Sequence, residues 1–499
     1  MEFSAAKSGD KTCSFDGKYL HSKYNPLQEG ERFVSNLEAD FSPFCVIILE
    51  PALSYCAPFL RRRFPGAKIC CVRFSNDFSE YDSKWDYVFY GAKENFLNLS
   101  EDLFNALGEE NLISGLFFDW QASKNIFLKL NAKCWKEIQK AVLKARDVLG
   151  TRSYFSRRWL KNSVLFCKNI QKGFTAGKTE KPVLIAASGP SLASSVPFIK
   201  KFRGCFFLIA VSSAFLPLLE NGIEPDLTIS SDGGFWAKRH FFVPGIKNCG
   251  HVFALEAEGA SFSKIYEENE IVPLCYEDGL EQNLLKAVGC PFMISRRNGT
   301  VAGTALEFAL EFTTQKVFLA GFDQAPAAAF QHTQPNALEI ISQKSDSRLS
   351  PKETRITKSR FGSEKSLEIY RNWFSANSAR FEQRVSRISD NYIFPYKLGK
   401  IKDISWTDFE NLALSKPLSL KSEIKKNPFR ITLTKNERRE RILSELKKIS
   451  SSDFFLDEVF PMDSVLIRRE KNPEKKSALE KKIKEKTKNL IEEISDLLK

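Results

Sequence analysis

Short apolar runs recur along the first 120 residues, separated by polar stretches long enough for helices: 45–50 (CVIILE), 68–75 (KICCVRFS), 86–91 (DYVFYG) and 115–120 (GLFFDW). Runs of this kind predict parallel strands joined by crossovers. From 122 to about 172 the apolar spacing turns helical, which predicts a bridge. A second series follows at 182–188 (PVLIAAS), 205–213 (CFFLIAVSS), 226–232 (DLTISSD), 251–257 (HVFALEA), 291–295 (PFMIS) and 316–323 (KVFLAGFD). These strands are apolar almost throughout, as in a parallel sheet covered on both faces. Helical patterns lie between several of them. Over 303–312, for example, apolar residues stand at 305, 306, 308, 309, 310 and 312. Beyond about 400 the pattern is helical, most clearly over 436–450 and 477–499. The expected α/β organisation is a Rossmann-like domain over 1–121, a helical bridge over 122–179, a doubly wound catalytic domain over 180–396 and a helical region over 397–499.

Composition adds limits. A chain of 499 residues exceeds one core. Its start lacks the apolar stretch of a secretory leader, and no run of about 18 apolar residues is present, so no membrane span and a cytoplasmic location are expected. The 11 cysteines are scattered without a CxxC pair, which predicts buried thiols and neither disulfides nor zinc. The net charge of +13 raises the question of nucleic acid. Over 416–499, however, 22 Lys and Arg alternate with 15 Asp and Glu at helical spacing. A solvated helix face accounts for that, and no nucleic-acid partner is expected.

Two places where a nucleotide loop would stand do not carry one. The first strand runs into Glu50-Pro51-Ala52-Leu53, where a dinucleotide site needs glycines for close backbone approach. The stretch 173–179 (GFTAGKT) has three residues between its glycines instead of four and precedes a strand instead of following one. It is expected to be a surface linker.

Polar clusters at the ends of the second series of strands carry the candidate chemistry, because ligands of doubly wound sheets bind beyond the carboxyl ends of the strands. They are Ser188-Gly189-Pro190-Ser191, Ser212-Ser213, Ser230-Ser231-Asp232-Gly233-Gly234 and Gly321-Phe322-Asp323, with His332 nine residues further on. Gly189 would let a ligand meet the main chain, and Ser191 could cap the next helix. Asn298-Gly299-Thr300 opens another helix, whose free N–H groups could hold an anion. Each cluster alone is ordinary turn or cap chemistry; their joint placement on one sheet predicts a nucleotide-type pocket.

The order ASGPSL, AVSSAFLPLLENGIEPDLTISSD, NGTVAGTALEFAL, VFLAGFD and a downstream histidine resembles the motility-associated factor (Maf) flagellin glycosyltransferases. Their central domain belongs to the broader MptE-like family, which includes archaeal 6-hydroxymethylpterin diphosphokinases. Residues 20–26 (LHSKYNP) resemble the Maf amino-terminal signature, and the resemblance extends over about 18–395. It implies a central fold like that of bacterial sialyltransferases. It also implies a cytoplasmic enzyme that transfers a nonulosonic acid, of the pseudaminic or legionaminic type, from a CMP-sugar to Ser or Thr of flagellin. By position, Ser188, Gly189, Pro190 and Ser191 would hold the nucleotide, Ser212, Ser213 and Asp232 its ribose or base, and Asn298, Gly299 and Thr300 the phosphate. His332 would be the base, with Asp323 the next candidate. Two departures from the pattern stand out: Ala187-Ser188 where many relatives carry glycine, and an alanine-rich stretch at 325–329.

The chain contains no DxD pair of the kind that holds Mg²⁺ on a sugar diphosphate, which favours a CMP donor over a UDP or GDP donor. Two other readings remain open at this point. One is a pterin-type diphosphokinase using ATP, with Mg²⁺ on Asp232 and Asp323. The other is a non-catalytic flagellin-binding factor.

Overall fold

The structure is a computed structural model. It describes the chain except residues 92–95, 97, 242–249, 326–329, 331, 391–395 and 415–424, and the side chains of 358–365 and 413–414. Two compact units emerge, Met1–Ser156 with Ser452–Asn489 and Arg157–Ser451 with Leu490–Lys499.

The first unit begins with a small antiparallel sheet of β1 (Glu2–Ala5), β2 (Lys11–Phe15) and β3 (Lys18–Tyr19). The four expected strands follow as β4 (Cys45–Leu49), β5 (Lys68–Arg73), β6 (Tyr87–Tyr90) and β7 (Gly115–Asp119). They form a parallel sheet in the order β6-β5-β4-β7, with β4 buried along its whole length. This is the half-sheet of a Rossmann-type fold, and its switch point lies at the end of β4.

A protein carboxylate fills that switch point. Glu50 is completely buried and accepts N–H bonds from Ala52, Phe74 and Ser75 while facing Arg73 at 3.4 Å. The turn takes positive φ at Glu50 (41°), Ala52 (43°) and Ser54 (61°), a conformation that costs residues with a Cβ. The LHSKYNP segment supports it. His21 Nε2 accepts the Leu53 N–H at 3.1 Å, so the ring proton lies on Nδ1 and is donated to Glu29. Burial holds the His21 pKa below its ordinary value, against the opposing pull of Glu29. Asn25 then caps helix Pro26–Ser35 by accepting the Gln28 N–H at 2.9 Å. The signature residues thus brace a turn and start a helix.

Helix Leu128–Asn169 passes through the division between the units, in keeping with the helical pattern seen there. The expected linker at 173–179 is instead mostly strand. β8 (Lys172–Ala176) buries Phe174 and pairs antiparallel with β18 (Lys426–Arg430).

The second unit is built on a nine-stranded parallel sheet. Its strands are β9 (Val183–Ala186), β10 (Phe207–Val211), β11 (Leu227–Ser230), β12 (Val252–Glu256), β13 (Glu270–Tyr276), β14 (Met293–Ser295), β15 (Val317–Ala320), β16 (Val385–Ile388) and β17 (Lys402–Ile404). Their order is β14-β13-β12-β11-β10-β9-β15-β16-β17. All six expected strands are present. β13, β16 and β17 had no sequence signal strong enough to reveal them. Pro273 interrupts β13, and a buried ion pair between Arg387 and Asp403 (2.7 Å) links β16 to β17. Helix Val301–Phe312 presses a largely buried surface on the sheet.

Ten cysteines are described, none in a disulfide; nine are buried and Cys205 partly so. Burial pushes the Cys45 and Cys290 thiols up to about 12. Among the described residues no helix is long and apolar enough to cross a membrane.

Candidate functional site

The chain leaves β9 towards β10 and returns on the other side at β15, so the sheet reverses direction of growth between β9 and β15. The carboxyl ends of these two strands are where ligands of such sheets bind. The turn after β9 is laced to the turn after β15: Ala187 N–H donates to Ala320 O and Gly189 N–H to Gly321 O, both at 2.9 Å. Asp323 completes the junction. Its carboxylate accepts the Ser191 hydroxyl at 2.7 Å and the Ser191 N–H at 3.3 Å, which places a carboxylate at the start of helix Leu192–Lys201. Ser191 was expected to cap this helix itself, but its hydroxyl makes no cap bond there and donates to Asp323. Burial raises the Asp323 pKa, while the bonds from Ser191 and the charge of Arg387 oppose the rise.

Gly189 is bare for a reason internal to this junction. A Cβ on it would lie 2.0 Å from Asp323 Oδ2 and 2.4 Å from Gly321 O. The space expected to receive a ligand therefore holds the Asp323 carboxylate.

A second constellation runs through Ser188. Its hydroxyl lies 2.6 Å from Ser213 Oγ and 2.9 Å from His332 Nδ1, and its carbonyl accepts the Thr333 N–H at 2.8 Å. Three residues, from the segments that follow β9, β10 and β15, thus meet in one chain of hydrogen bonds. Burial lowers the His332 pKa, opposed by the Ser188 carbonyl, so the ring is neutral at pH 7. Two neutral arrangements fit. When Nδ1–H donates to Ser188 Oγ and Ser188 donates to Ser213, Nε2 keeps a free lone pair and can take a proton.

The remaining predicted residues lie around these two groups. Ser212 is buried at the first position of helix Ser212–Glu220. Ser231 Oγ lies 3.2 Å from Thr304 Oγ1, and Asn298 Oδ1 accepts the Thr300 N–H at 3.3 Å. The same Asn298 oxygen would be 2.6 Å from a Cβ at Gly303, so it overlies the first turn of helix Val301–Phe312, next to Gly299 at φ 73°. Asp232 is exposed and accepts the Gly234 N–H at 2.7 Å, without bonding to the other candidates. Pro190 contributes its carbonyl to the Ala193 N–H. Four of the five residues of the alanine-rich stretch, 326–329, lie outside the described residues. Among the described residues no three His, Cys, Asp or Glu side chains are grouped so as to hold a metal ion.

Ser230 was named with the polar cluster after β11, but sequence reasoning missed His240, Thr333 and Asn336; among the described residues Ser230 Oγ, His240 Nδ1, Thr333 Oγ1 and Asn336 Nδ2 are buried with no hydrogen-bond partner. Ser230 ends β11, and Thr333 follows His332. His240 interacts electrostatically with His332, and burial lowers its pKa to about 4. For the three missed residues the only sequence signals were a helix start at Asn336-Ala337 and the scarcity of histidines. A separate acidic group lies at the ends of β12 and β13. Glu256 is buried, accepts the Ser295 hydroxyl and is pushed up to about 8 by burial, and Glu281 is raised to about 7 in the same way.

Comparison with known proteins bears on this arrangement. Residues 157–327 match the family described as 6-hydroxymethylpterin diphosphokinase MptE-like. An uncharacterized protein of Treponema pallidum (strain Nichols) is 29% identical over 322 residues, 64% of this chain and 69% of that protein. The structure of a Maf glycosyltransferase from Magnetospirillum magneticum AMB-1 superposes with a TM-score of 0.54 at 14% identity, over 100% of this chain and 91% of that one. At that identity the likeness is one of fold. The matched segment begins where the second unit begins, at Arg157, and it contains the Ser188–Ser213 and Ser191–Asp323 contacts. Residues 157–327 therefore resemble the MptE-like family, in a chain whose fold is like that of a Maf glycosyltransferase.

Proposed function

We propose that this chain is a glycosyltransferase that moves a nonulosonic acid from its CMP-activated form to a Ser or Thr hydroxyl of flagellin, in support of flagellar assembly. The observation that carries the reading is a neutral, hydroxyl-anchored histidine at the switch point of an MptE-like segment. In the reaction the acceptor oxygen bonds to the anomeric carbon while its proton passes to His332 Nε2. The bond from that carbon to the phosphate oxygen breaks, and its electron pair leaves with CMP. The Nδ1–H···Ser188···Ser213 chain fixes the ring and lets the imidazolium that forms be solvated by hydroxyl oxygens. General-base help of this kind contributes roughly 10²–10⁴-fold. In this scheme Asp323 is a positioning residue that holds the glycine turn in place through Ser191.

The test is intact-mass analysis of flagellin produced with the full chain and with its His332→Ala variant in cells that make the CMP-sugar. Mass increments of a nonulosonic acid with the wild type, reduced or lost with the variant, support the reading; an unmodified flagellin with a folded wild type overturns it. The printed description of the matched family favours a second reading, pyrophosphate transfer from ATP to a pterin. Thermal shifts with CMP and with ATP separate the two, because the tighter ligand raises the transition more at equal concentration.

A further inference from the structure

The donor of the proposed reaction carries anionic oxygens, and helix starts are the usual seats for them. In this unit the start of helix Leu192–Lys201 holds the Asp323 carboxylate, and the Asn298 amide oxygen overlies the start of helix Val301–Phe312. A second anion at Asp323 would meet a carboxylate. The donor's charge must be received elsewhere.

We propose that Ser230, His240, Thr333 and Asn336 form the cradle for an anionic oxygen group of the donor, its phosphate or its carboxylate, a proposal that rests on the donor reading above. Ser230, Thr333 and Asn336 are 2%, 4% and 2% exposed, and each has a polar atom with no partner. Leaving such an atom unpaired is costly, so several on neighbouring elements point to partners brought by a ligand. The four lie on neighbouring elements of the second unit. Thr333 is anchored by its N–H to the Ser188 carbonyl, and His332 beside it interacts with His240. The turn Ala237–His240 packs against helix Ala337–Ser342, which Asn336 caps. Ser230 ends the strand next to β10, beyond which Ser213 meets Ser188.

The chemistry of the set is that of a donor. Asn336 Oδ1 accepts the Leu338 N–H at 3.0 Å, which fixes the amide orientation and leaves Nδ2, with its two hydrogens, unpaired. Two hydroxyls and an imidazole nitrogen can donate alongside it, and none of the four residues is a carboxylate. Arg239, next to His240, adds a guanidinium whose Nε is also buried without a partner among the described residues. Such a set suits a phosphate or carboxylate and not a cation.

Two variants test the cradle in the full chain. Asn336→Asp keeps the cap acceptor while replacing the amide donor by a charge of the wrong sign. Thr333→Val removes only the hydroxyl and keeps the backbone bond to Ser188. Binding of CMP, cytidine, inorganic phosphate and N-acetylneuraminic acid is measured by calorimetry, with folding checked by thermal denaturation. The expected result is that Asn336→Asp weakens CMP about tenfold or more, Thr333→Val by a smaller factor, and cytidine by neither. A loss confined to N-acetylneuraminic acid would assign the cradle to the sugar carboxylate. Phosphate binding that is lost in the variants, from a wild type that does not prefer CMP to cytidine, would keep the cradle and sink the CMP-donor reading. The cradle is overturned if the wild type binds none of the three anions. It is also overturned if folded variants bind them unchanged, or if CMP and cytidine weaken alike. Should Asn336→Asp not fold, the Thr333→Val comparison decides.

Discussion

Replacing Gly189 by alanine tests whether the turn after β9 is bare for the protein's own sake. The added Cβ would lie 2.0 Å from Asp323 Oδ2 and 2.4 Å from Gly321 O, where an ordinary contact begins near 3.4 Å. Both neighbours must move by about an ångström or more. Gly321 has little room to do so, since it sits at φ 72° with its own Cβ position 2.1 Å from Ala187 O. Overpacking of this kind costs about 1–3 kcal/mol. Displacing the carboxylate from the Ser191 hydroxyl and N–H adds about 1.5–3 kcal/mol for a charged hydrogen bond. At roughly 2–4 °C per kcal/mol, the transition of the second unit should fall by on the order of 10 °C. Scanning calorimetry of Gly189→Ala, Asp323→Ala and the double variant gives a cycle. If the carboxylate is the obstacle, the double variant loses at least about 1 kcal/mol less than the sum of the singles. A Gly189→Ala protein melting within a degree or two of wild type would refute the reasoning and return this position to ligand space.

Three further outcomes are expected. His332→Ala should cut transfer by roughly 10²–10⁴-fold and leave CMP affinity within about threefold, read by single-turnover assay and calorimetry; a fully active, folded variant removes the base assignment. Glu50→Gln should destabilise the first unit by about 1–3 kcal/mol, because one of the two oxygens that accept the Ala52, Phe74 and Ser75 N–H groups becomes an amide donor, and wild-type protein should bind no NAD in equilibrium dialysis. Glu256, with a folded pKa of about 8 against 4.5, holds a proton that the unfolded chain gives up. Its stabilising contribution is therefore full below pH 4.5 and is lost as pH rises through 8, by up to about 5 kcal/mol. Urea midpoints at pH 5, 7 and 9 should slope less in Glu256→Gln than in wild type; parallel slopes would contradict the assignment.

Strands that were apolar throughout could be read directly, because a sheet covered on both faces leaves no polar position to break the run. β4, β9, β10 and β15 are of this type, and each is buried at every residue. The strands that stayed hidden satisfy burial by other means. Arg387 on β16 is fully buried because Asp403 and the carbonyls of Phe322 and Tyr396 neutralise and bond it. On β13, Pro273 sits where pattern reading expects a ladder donor. The segment 173–179 was misread for the converse reason: glycine at 173 and 177 suggests a loop, yet a Cβ at Gly173 would lie 2.3 Å from Ile271 O, so close approach of a neighbouring strand requires the glycine.

The candidate site was legible in its residues and not in its connections. Strand ends announce themselves by the change from apolar to small and polar residues, so Ser188, Ser213, Asp323 and their neighbours could be named. Which of them touch depends on strand order, and sequence order runs β9, β10, β11 while space puts β15 beside β9. That single adjacency brings Asp323 to Ser191 across 132 residues and His332 to Ser188 across 144. It also converts Asp323 from the second candidate base into the group that holds the glycine turn. Once Asp323 occupies the helix start, the ligand space expected at Gly189-Pro190-Ser191 is already used, and among the described residues the unpaired donors of Ser230, Thr333 and Asn336 become the groups with capacity to spare. A motif read alone assigns its glycine to a ligand. In this fold the glycine belongs to the aspartate that its own sheet delivers.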